Sequence, residues 1–338
     1  MRVQNRSFEP TAQSGLTLLE LLLVLGILAV VLGSGLGAFA VLEAGPEQAR
    51  SSVKSVVRRA ASAAVERGDG ARVRIDRKSG RLWTESFFAV GTWHFEGDLR
   101  GAFGLRGEAR DASFDPDGWV GSAVLFEGRP NSTVGIPVRQ DPGFDPHLGF
   151  AVDCAVRREG EAGGRMLDLG GVIAIELGGA GDVRGRFTPA NDASEGRSRG
   201  GAVTVQSPPG LVPPGRWTRL GLRFDGRRLS LSIEGVVVEV LEVEGTVAAL
   251  EGPLVLSDPK RPFTGAVDRL VVRVLVRSEE VELPDGMRFA EDGPDEIVFD
   301  AGGRLDRMLH QGSVTIPLLD REGDKHPIIV GVHGTVEG

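Results

Sequence analysis

The pattern of hydrophobic and polar positions divides the chain into one long helix followed by many short strands. Residues 16–42 are apolar apart from Glu20 and scattered Gly, Ser and Thr. At about 1.5 Å per residue, this run is long enough to cross the hydrocarbon core of a bilayer. Arg2 and Arg6 precede it, and basic residues mark the cytoplasmic end of a membrane span. We therefore expect residues 16–44 to form a membrane helix, with the body of the chain on the far side.

Helical spacing continues beyond the apolar run. After Gly45 and Pro46, where we expect a kink, one side of the predicted helix carries Arg, Lys and Ser, and the other side carries an apolar stripe. The stripe consists of Ala49, Val53, Val56, Val57, Ala60, Ala61, Ala64 and Val65. This pattern is typical of a helix that packs one face on a sheet, and it predicts a helix of about 75 Å that ends at Arg67.

After the helix, the hydrophobic spacing becomes that of β-strands. Residues 71–75 alternate small or apolar with basic side chains, and a polar turn at 76–80 leads into a second strand. Apolar residues also alternate over 220–224 and over 229–233, on either side of an Asp-Gly turn, which predicts an antiparallel hairpin. Repeated short strands with polar turns indicate a sandwich of two sheets.

Composition agrees with a largely β body and excludes some functions. The 49 glycines and 19 prolines among 338 residues punctuate short apolar runs, as turns between strands require. The net charge of -8 argues against general nucleic-acid binding, because phosphate neutralisation needs a basic face. Cys154 is the single cysteine, so no intramolecular disulfide can form. It lies in an apolar run and is predicted to be a small buried residue without nucleophilic function.

Glu20 is the one charge within the apolar run, and a lone carboxylate there is costly unless it meets a partner. Three interpretations compete. A secretory signal could be cleaved after Ala38-Phe39-Ala40, but its apolar region would be overlong and would contain Glu20. An uncleaved signal anchor accommodates the length and leaves Glu20 unexplained. The third interpretation accounts for both features and rests on a resemblance.

Gly15, followed by an apolar residue, Thr17, Glu20 and a long apolar helix, resembles the class III leader of type IV pilins and type II secretion pseudopilins. The resemblance implies that a membrane prepilin peptidase cleaves between Gly15 and Leu16 and methylates the new amino group of Leu16. It also implies that Thr17 and Glu20 act in filament assembly. There the Glu20 carboxylate neutralises the terminal amine of a neighbouring subunit, which relieves two charges together.

The segment QARSSVKSVVRRAASAAVERGDGARVRIDRKSGRL, residues 48–82, resembles the start of an H-type minor pseudopilin head, the group that includes FimT-like minor pilins. Residues 296–300, 314–318 and 328–332 resemble the closing strands of such a head. About 200 residues separate the two halves, which is far too long for a loop. The intervening segment is therefore expected to be a domain inserted at a surface turn.

The inserted segment has its own resemblance. In order and spacing, its strand-like pieces resemble a laminin G-like, concanavalin A-like jelly roll. The pieces are residues 91–97, 121–128, 134–137, 214–226, 229–235 and 263–272. The resemblance implies a surface that recognises carbohydrate or protein.

Together these patterns predict an α+β protein: a long N-terminal pilin helix packed on an antiparallel head, with an inserted all-β jelly-roll sandwich. The expected parts are a leader at 1–15, a transmembrane helix at 16–44, a periplasmic helix and first hairpin at 45–86, the sandwich at 87–283 and closing strands at 284–338.

Candidate catalytic and metal-binding residues are few. No zinc-protease, nucleophile-elbow, paired-cysteine or phosphate-loop motif is present, so we assign no catalytic or cofactor-binding residue. The histidines at 94, 147, 310, 326 and 333 are scattered, and none is predicted to bind metal. Asp115, Asp117, Asp141 and Asp145 lie in turn-rich stretches, where their oxygens are calcium candidates; solvated turn residues are the interpretation that common turn chemistry favours.

The leading hypothesis is a minor pseudopilin of a type II secretion or pilus-like filament, a single-pass protein of the bacterial inner membrane with its body in the periplasm. Its expected partners are other pilins or pseudopilins, the prepilin peptidase, the membrane and a carbohydrate or protein ligand. A DNA-uptake pilin is a second hypothesis, which the mixed charge of residues 320–325 disfavours. A membrane-tethered glycan hydrolase is a third, and the lack of a paired-carboxylate pattern argues against an enzyme.

Overall fold

The computed structural model describes most of the chain: residues 18–138, 145–190 and 200–338. Between residues 18 and 44, side chains are described only at 22–25, 27 and 28. The predicted processing and assembly residues Gly15, Leu16 and Thr17 lie outside the described residues, as does Asp141. Glu20 lies in a helix, but its side chain is not among those described.

A long helix, α1, spans Leu18–Arg67 and is followed by short strands. The strands up to the end of the predicted sandwich are β1 Ala71–Asp76, β2 Arg81–Trp93, β3 Glu108–Arg110, β4 Ser113–Asp115, β5 Ala123–Glu127, β6 Thr133–Ile136, β7 Phe150–Arg158, β8 Gly164–Leu169, β9 Ile173–Leu177, β10 Val183–Phe187, β11 Val203–Gln206, β12 Trp217–Phe224, β13 Arg228–Ile233, β14 Val236–Glu242, β15 Leu254–Leu256 and β16 Thr264–Glu282. A short 3₁₀ helix occupies Ala102–Gly104. The last strands are β17 Arg288–Phe289, β18 Glu296–Phe299, β19 Val314–Leu319, β20 Lys325–Val330 and β21 Val336–Glu337.

The strands of the described residues form three antiparallel sheets. The large sheet has ten strands in the order β14-β13-β12-β7-β16-β2-β1-β18, with β5 paired to β16 and β4 to β5. A second sheet has seven strands in the order β11-β10-β9-β8-β15-β6-β3, and a third has the order β17-β19-β20-β21. The large and second sheets enclose the main apolar core, so the predicted all-β sandwich is confirmed. The predicted hairpin is β12 with β13.

Two long strands, β2 and β16, belong to both parts of the molecule. Trp93 of β2 lies opposite Leu270 of β16, and the pairing continues, with two bulges, until Arg81 lies opposite Glu282. On the far side of β2, β1 pairs with residues 81–86, whereas β7 pairs with the first half of β16. The predicted border between residues 86 and 87 therefore falls within one continuous strand.

One face of the large sheet is covered at both ends. Leu82 packs in the same apolar cluster as the stripe of α1, and Val274 of β16 packs in the sandwich core. Val274 pairs with Phe88, which shares a face of β2 with Leu82 because alternate residues of a strand point the same way. Hence α1 and the second sheet lie on the same face, and we name the opposite face the outer face.

The second half of α1 packs as its spacing predicts, with one exception. The buried residues of the stripe are 0–1% exposed: Ala49, Val53, Val56, Val57, Ala60 and Ala64. The assignment of Val65 to the stripe is wrong, since its side chain is 57% exposed. At about 100° per residue, Val65 lies well over 90° from the centre of the stripe.

Pro46 lies inside α1. In the part of the chain that the structure describes, no helix combines the length and hydropathy of a membrane span.

The closing strands are divided between two sheets. β18 pairs with β1 and so extends the large sheet, whereas β19 and β20 form a separate sheet beneath α1. The last predicted strand, 328–332, is displaced: β20 spans Lys325–Val330 and contains Pro327. Pro327 faces Pro317 across the pair, and the two missing N–H donors therefore fall at one position of the ladder.

Because the head and the sandwich share β2, weakening the head should weaken both. Leu82 is fully buried against α1, so Leu82→Ala should lower the free energy of unfolding by about 2–5 kcal/mol. We expect one shifted transition in urea, followed both by far-UV circular dichroism and by the near-UV signal of tryptophan. Val65→Ala on the exposed side of α1 is the control and should change stability by less than about 0.5 kcal/mol. A separate sandwich transition at the wild-type urea concentration would contradict a shared sheet.

Candidate functional site

The outer face of the large sheet carries small and polar side chains in its centre. The intervening residues Val152, Cys154, Leu220 and Leu222 are buried in the sandwich core, so their neighbours point outward. The outward residues are Ala151, Asp153 and Ala155 of β7, Arg219, Gly221 and Arg223 of β12, and Ser230 and Ser232 of β13. This arrangement leaves a depression above β12.

Three adjoining cavities run along this face, with volumes of about 280, 340 and 450 Å³. The first two share Asp153, Gly221, Ser232 and Gly235. The second and third share Asp69, Arg223, Ser230 and Val237. Because neighbours share lining residues, the cavities form one continuous groove from Trp119 at one end to the head at the other. We name it the outer groove.

The floor of the outer groove is closely fitted around Gly221. Register places Gly221 between Ser232 of β13 and Asp153 of β7. A Cβ at position 221 would collide with Ser232 Oγ and would lie 2.9 Å from Asp153 Oδ1. Glycine therefore lets both polar groups converge on the floor.

A buried carboxylate, Asp268, fixes the backbone at the Trp119 end of the outer groove. The pairing of β16 with β7 is interrupted by a bulge between Asp268 and Val271. Asp268 is fully buried and accepts hydrogen bonds from the backbone N of Arg269, at 2.6 Å, and of Val120, at 3.0 Å. Burial raises the pKa of Asp268, although these two bonds oppose the shift. One side chain thus holds both Arg269, at φ 50°, and the loop 116–122, the Trp119 loop.

The Trp119 loop has further anchors. Arg157 Nη1 donates to the carbonyl oxygen of Asp117 at 2.9 Å, and the backbone N of Ser122 donates to Glu96 Oε2 at 3.0 Å. Trp119 itself is 40% exposed and lines the groove. The loop therefore presents an aromatic side chain from a well-fixed backbone.

In the centre of the groove, Asp153 forms a salt bridge with Arg273. Burial raises the pKa of Asp153, and the guanidinium of Arg273 opposes that shift. The charge of Asp69 adds a smaller upward contribution. Asp153 is therefore a carboxylate in a partly apolar setting with one fixed cationic partner.

The arginines of β12 are also paired. Arg223 Nη1 lies 2.8 Å from Asp69 Oδ1, and its guanidinium lies 4.0 Å from the centre of the Phe87 ring. Arg219 Nε lies 3.4 Å from Glu234 Oε2, and both side chains are largely exposed. The pair of Arg223 is thus well packed, whereas that of Arg219 is open to solvent and to exchange of partners.

The head end of the groove is a network of ion pairs. Arg72 is 9% exposed at its side chain and lies 2.6 Å from Glu85 and 3.4 Å from Asp225. Glu296 of β18 lies 3.1 Å from Arg74 and 3.9 Å from Arg72. The network joins the strands of the head to the turn between β12 and β13, so its charges satisfy one another.

The calcium candidates are not gathered into one site by the described residues. Asp117 lies 3.0 Å from Arg157, and Asp115 pairs with the same guanidinium. Two groups lower the pKa of Asp115: the backbone N–H of Asp117, which donates a hydrogen bond to it, and the guanidinium of Arg157. Asp145 accepts from the backbone N of His147 at 3.1 Å. The described residues contain no group of three or more His, Cys, Asp or Glu that could hold a metal, and calcium binding stays a prediction.

Two of the histidines and the cysteine have structural roles. His310 Nε2 accepts from the backbone N of Val298 at 2.9 Å, and burial lowers the pKa of His310. His326 Nε2 lies 2.9 Å from Asp320 Oδ2. Cys154 is 3% exposed, as predicted, and burial raises the pKa of its thiol.

The sequence-based interpretation missed the residues of the outer groove. Asp153 is the single charge within the run 150–156 of β7, and Arg219, Gly221 and Arg223 alternate with core residues of β12. Both patterns signal one polar face. Trp119 carries no such signal, because its position depends on the distant Asp268.

A comparison with known families finds a match at the N-terminus of the chain. Residues 10–36 match the family described as the prokaryotic N-terminal methylation motif. The match contains the predicted residues Gly15, Leu16, Thr17 and Glu20, and the chain thus carries a type IV pilin-like methylation motif. No curated protein shows significant similarity to the chain.

Solved structures with a related β-sandwich resemble the chain only distantly. Domain 4 of AbnA, a GH43 extracellular arabinanase from Geobacillus stearothermophilus, in complex with arabinotriose, matches at 17% identity and TM-score 0.41, over 57% of this chain and 95% of that one. The botulinum neurotoxin serotype G binding domain matches at 9% identity and TM-score 0.44, over 55% and 47%. Mouse laminin alpha1 domains LG4-5 match at 18% identity and TM-score 0.35, over 46% and 42%. The chain thus spans about half the length of the last two.

Asp268 is expected to order the Trp119 loop. In Asp268→Asn an amide NH₂ faces one of the two backbone N–H groups, so one hydrogen bond is lost and stability should fall by about 1–3 kcal/mol. Amide hydrogen exchange measured by mass spectrometry should rise at residues 116–122. Asp306→Asn is the matched control, since Asp306 accepts from the backbone N of Met308 in another turn. Unchanged exchange in the Trp119 loop of Asp268→Asn would rule out this role.

Proposed function

We propose that the protein is a minor pseudopilin-like subunit of a type II secretion or type IV pilus-like filament. A prepilin peptidase cleaves it between Gly15 and Leu16 and methylates Leu16, and it remains in the bacterial inner membrane with its body in the periplasm. The observation that carries the proposal is the match of residues 10–36 to the prokaryotic N-terminal methylation motif.

The course of α1 supports this proposal. The helix runs from Leu18 to Arg67, so the matched motif continues directly into the helix that packs on the head. The described apolar side chains at its start, Leu22 to Leu25, Ile27 and Leu28, are 47–63% exposed. An apolar helix surface of this kind needs lipid tails or neighbouring helices, and a filament rooted in a membrane supplies both.

The outer groove supports recognition as the role of the sandwich. It lies on the face that α1 and the second sheet leave open, and it combines an exposed aromatic side chain with convergent polar groups. We propose that the groove binds carbohydrate or protein and does not catalyse. Asp153 and Asp69, in the middle of the groove, are each paired with an arginine, so neither is a free acid that could protonate a leaving group.

Processing tests the motif directly. Gly15→Ala should leave the full-length precursor in the membrane when the chain is co-expressed with a prepilin peptidase, because the peptidase must approach a residue without a side chain. Intact mass and N-terminal sequencing of the isolated protein measure the outcome. Gly26→Ala, in the same apolar helix, is the control and should be processed normally. A mature protein that begins at Met1 or after Ala40 in the wild type would refute the proposal.

Assembly tests the partner of Glu20. Glu20→Gln keeps the shape and removes the charge, so cleavage should continue while co-purification with other pseudopilins declines, since the terminal amine loses its counter-ion. Glu47→Gln is the matched control, because Glu47 lies in the same helix and only pairs with Arg50 at the surface. Equal recovery of both variants in pull-down would contradict the assembly role.

A further inference from the structure

We propose that the Trp119 end of the outer groove binds an acidic saccharide, with a sugar ring against Trp119 and its carboxylate on Arg269. The inference rests on the recognition role proposed above and names the class of ligand.

The space at this end suits one or two sugar rings. The cavity has a volume of about 280 Å³ and is floored by Ala155, Gly221 and Ser232. The outward stretch of β12 from Arg219 to Arg223 adds about 13 Å of groove at the rise of a strand. An extended oligosaccharide can therefore continue toward the head after its first rings are placed.

Trp119 offers an apolar plane on a loop whose backbone is held by hydrogen bonds. Its side chain is 40% exposed although its loop is held by Asp268, Arg157 and Glu96. An ordered aromatic side chain at the mouth of a polar cavity matches a ligand that has one apolar face and many hydroxyl groups. Because the loop is already ordered, little conformational entropy is lost on binding.

Arg269 forms no salt bridge with a described residue, although its charge interacts with that of the buried Asp268. It is exposed, and the group that bonds to Asp268 is its backbone N–H. Among the described residues its guanidinium forms no salt bridge, unlike Arg219, Arg223 and Arg273 of the same groove. A free guanidinium favours bidentate binding of a carboxylate, and Arg219 can exchange its exposed pair with Glu234 for the same ligand.

The position of the groove favours a saccharide over an acidic peptide. Extended peptides bind sheets by adding a strand at an edge, where backbone groups are unpaired. The groove lies above β7, β12 and β13, whose backbones are already paired on both sides in the large sheet. The groups left to bind a ligand are side chains: the Ser232 hydroxyl, the Asp153 carboxylate and the arginines. These suit hydroxyl groups and a carboxylate.

The test is isothermal titration calorimetry of the full chain in detergent micelles with a galacturonic acid hexamer. The neutral galactose oligomer of equal length and a hexaglutamate peptide are the comparison probes. We expect the galacturonate to bind at least about tenfold more tightly than either, a difference of about 1.4 kcal/mol or more, and to weaken as salt is raised. Arg269→Asn and Trp119→Ala should each weaken binding about tenfold.

The variants separate recognition from folding. Asn tolerates positive φ, so Arg269→Asn removes the guanidinium without straining the bulge. Arg186→Ala, an exposed arginine of β10 on the other sheet, is the matched control and should bind as the wild type does.

Equal binding of the neutral oligomer, tighter binding of the peptide, or no binding of any probe would overturn the inference. The binding assay is independent of cleavage at Gly15, so a processed chain that does not bind refutes only the ligand, and a binding chain that is not processed refutes only the filament role.

Discussion

The backbone pairing of β2 with β16 is the interaction on which the rest of the structure depends. The two strands have 13 and 19 residues, whereas strands in globular proteins average about 5–6. A domain inserted at a surface turn is usually joined to its host by two flexible linkers. Here the connections are themselves paired strands, so hydrogen bonds fix the sandwich relative to α1. The orientation of the outer groove relative to α1 follows from this pairing.

Side chains reinforce the shared sheet on both faces. On the outer face, Arg72 joins Glu85 of β2 to Asp225 in the turn between β12 and β13. On the covered face, Arg67 at the end of α1 lies over the ring of Phe88, 5.6 Å from its centre, where the helix ends and the sandwich begins. Loss of one partner from the buried Arg72 pair would leave an uncompensated charge, so the network resists separation of the two parts.

The sequence predicts what depends on local spacing. Six of the eight residues of the α1 stripe are buried and one is partly buried, because a helix has a fixed period. Val65 is exposed because it lies well over 90° from the centre of the stripe. The hairpin at 220–233 is found because alternation and an Asp-Gly turn coincide there. The continuation of β2 past residue 86 could not be predicted, since it depends on a partner strand nearly 200 residues away.

The outer groove was beyond prediction for a related reason. Its residues come from β7, β12, β13, β16 and the Trp119 loop, and only cross-strand register brings them together. At the head end, Arg72, Arg74, Glu85, Asp225 and Glu296 are paired with one another.

The Trp119 end of the groove instead contains a buried carboxylate, Asp268, and a residue with left-handed backbone conformation, Arg269. A left-handed residue other than glycine costs about 1–3 kcal/mol of conformational free energy. Asp268 accepts hydrogen bonds from the backbone N of both Arg269 and Val120, so one buried carboxylate holds the two segments that bring Arg269 and Trp119 to the same cavity. The contacts that we propose for a ligand, with Trp119 and with Arg269, therefore depend on a single buried side chain.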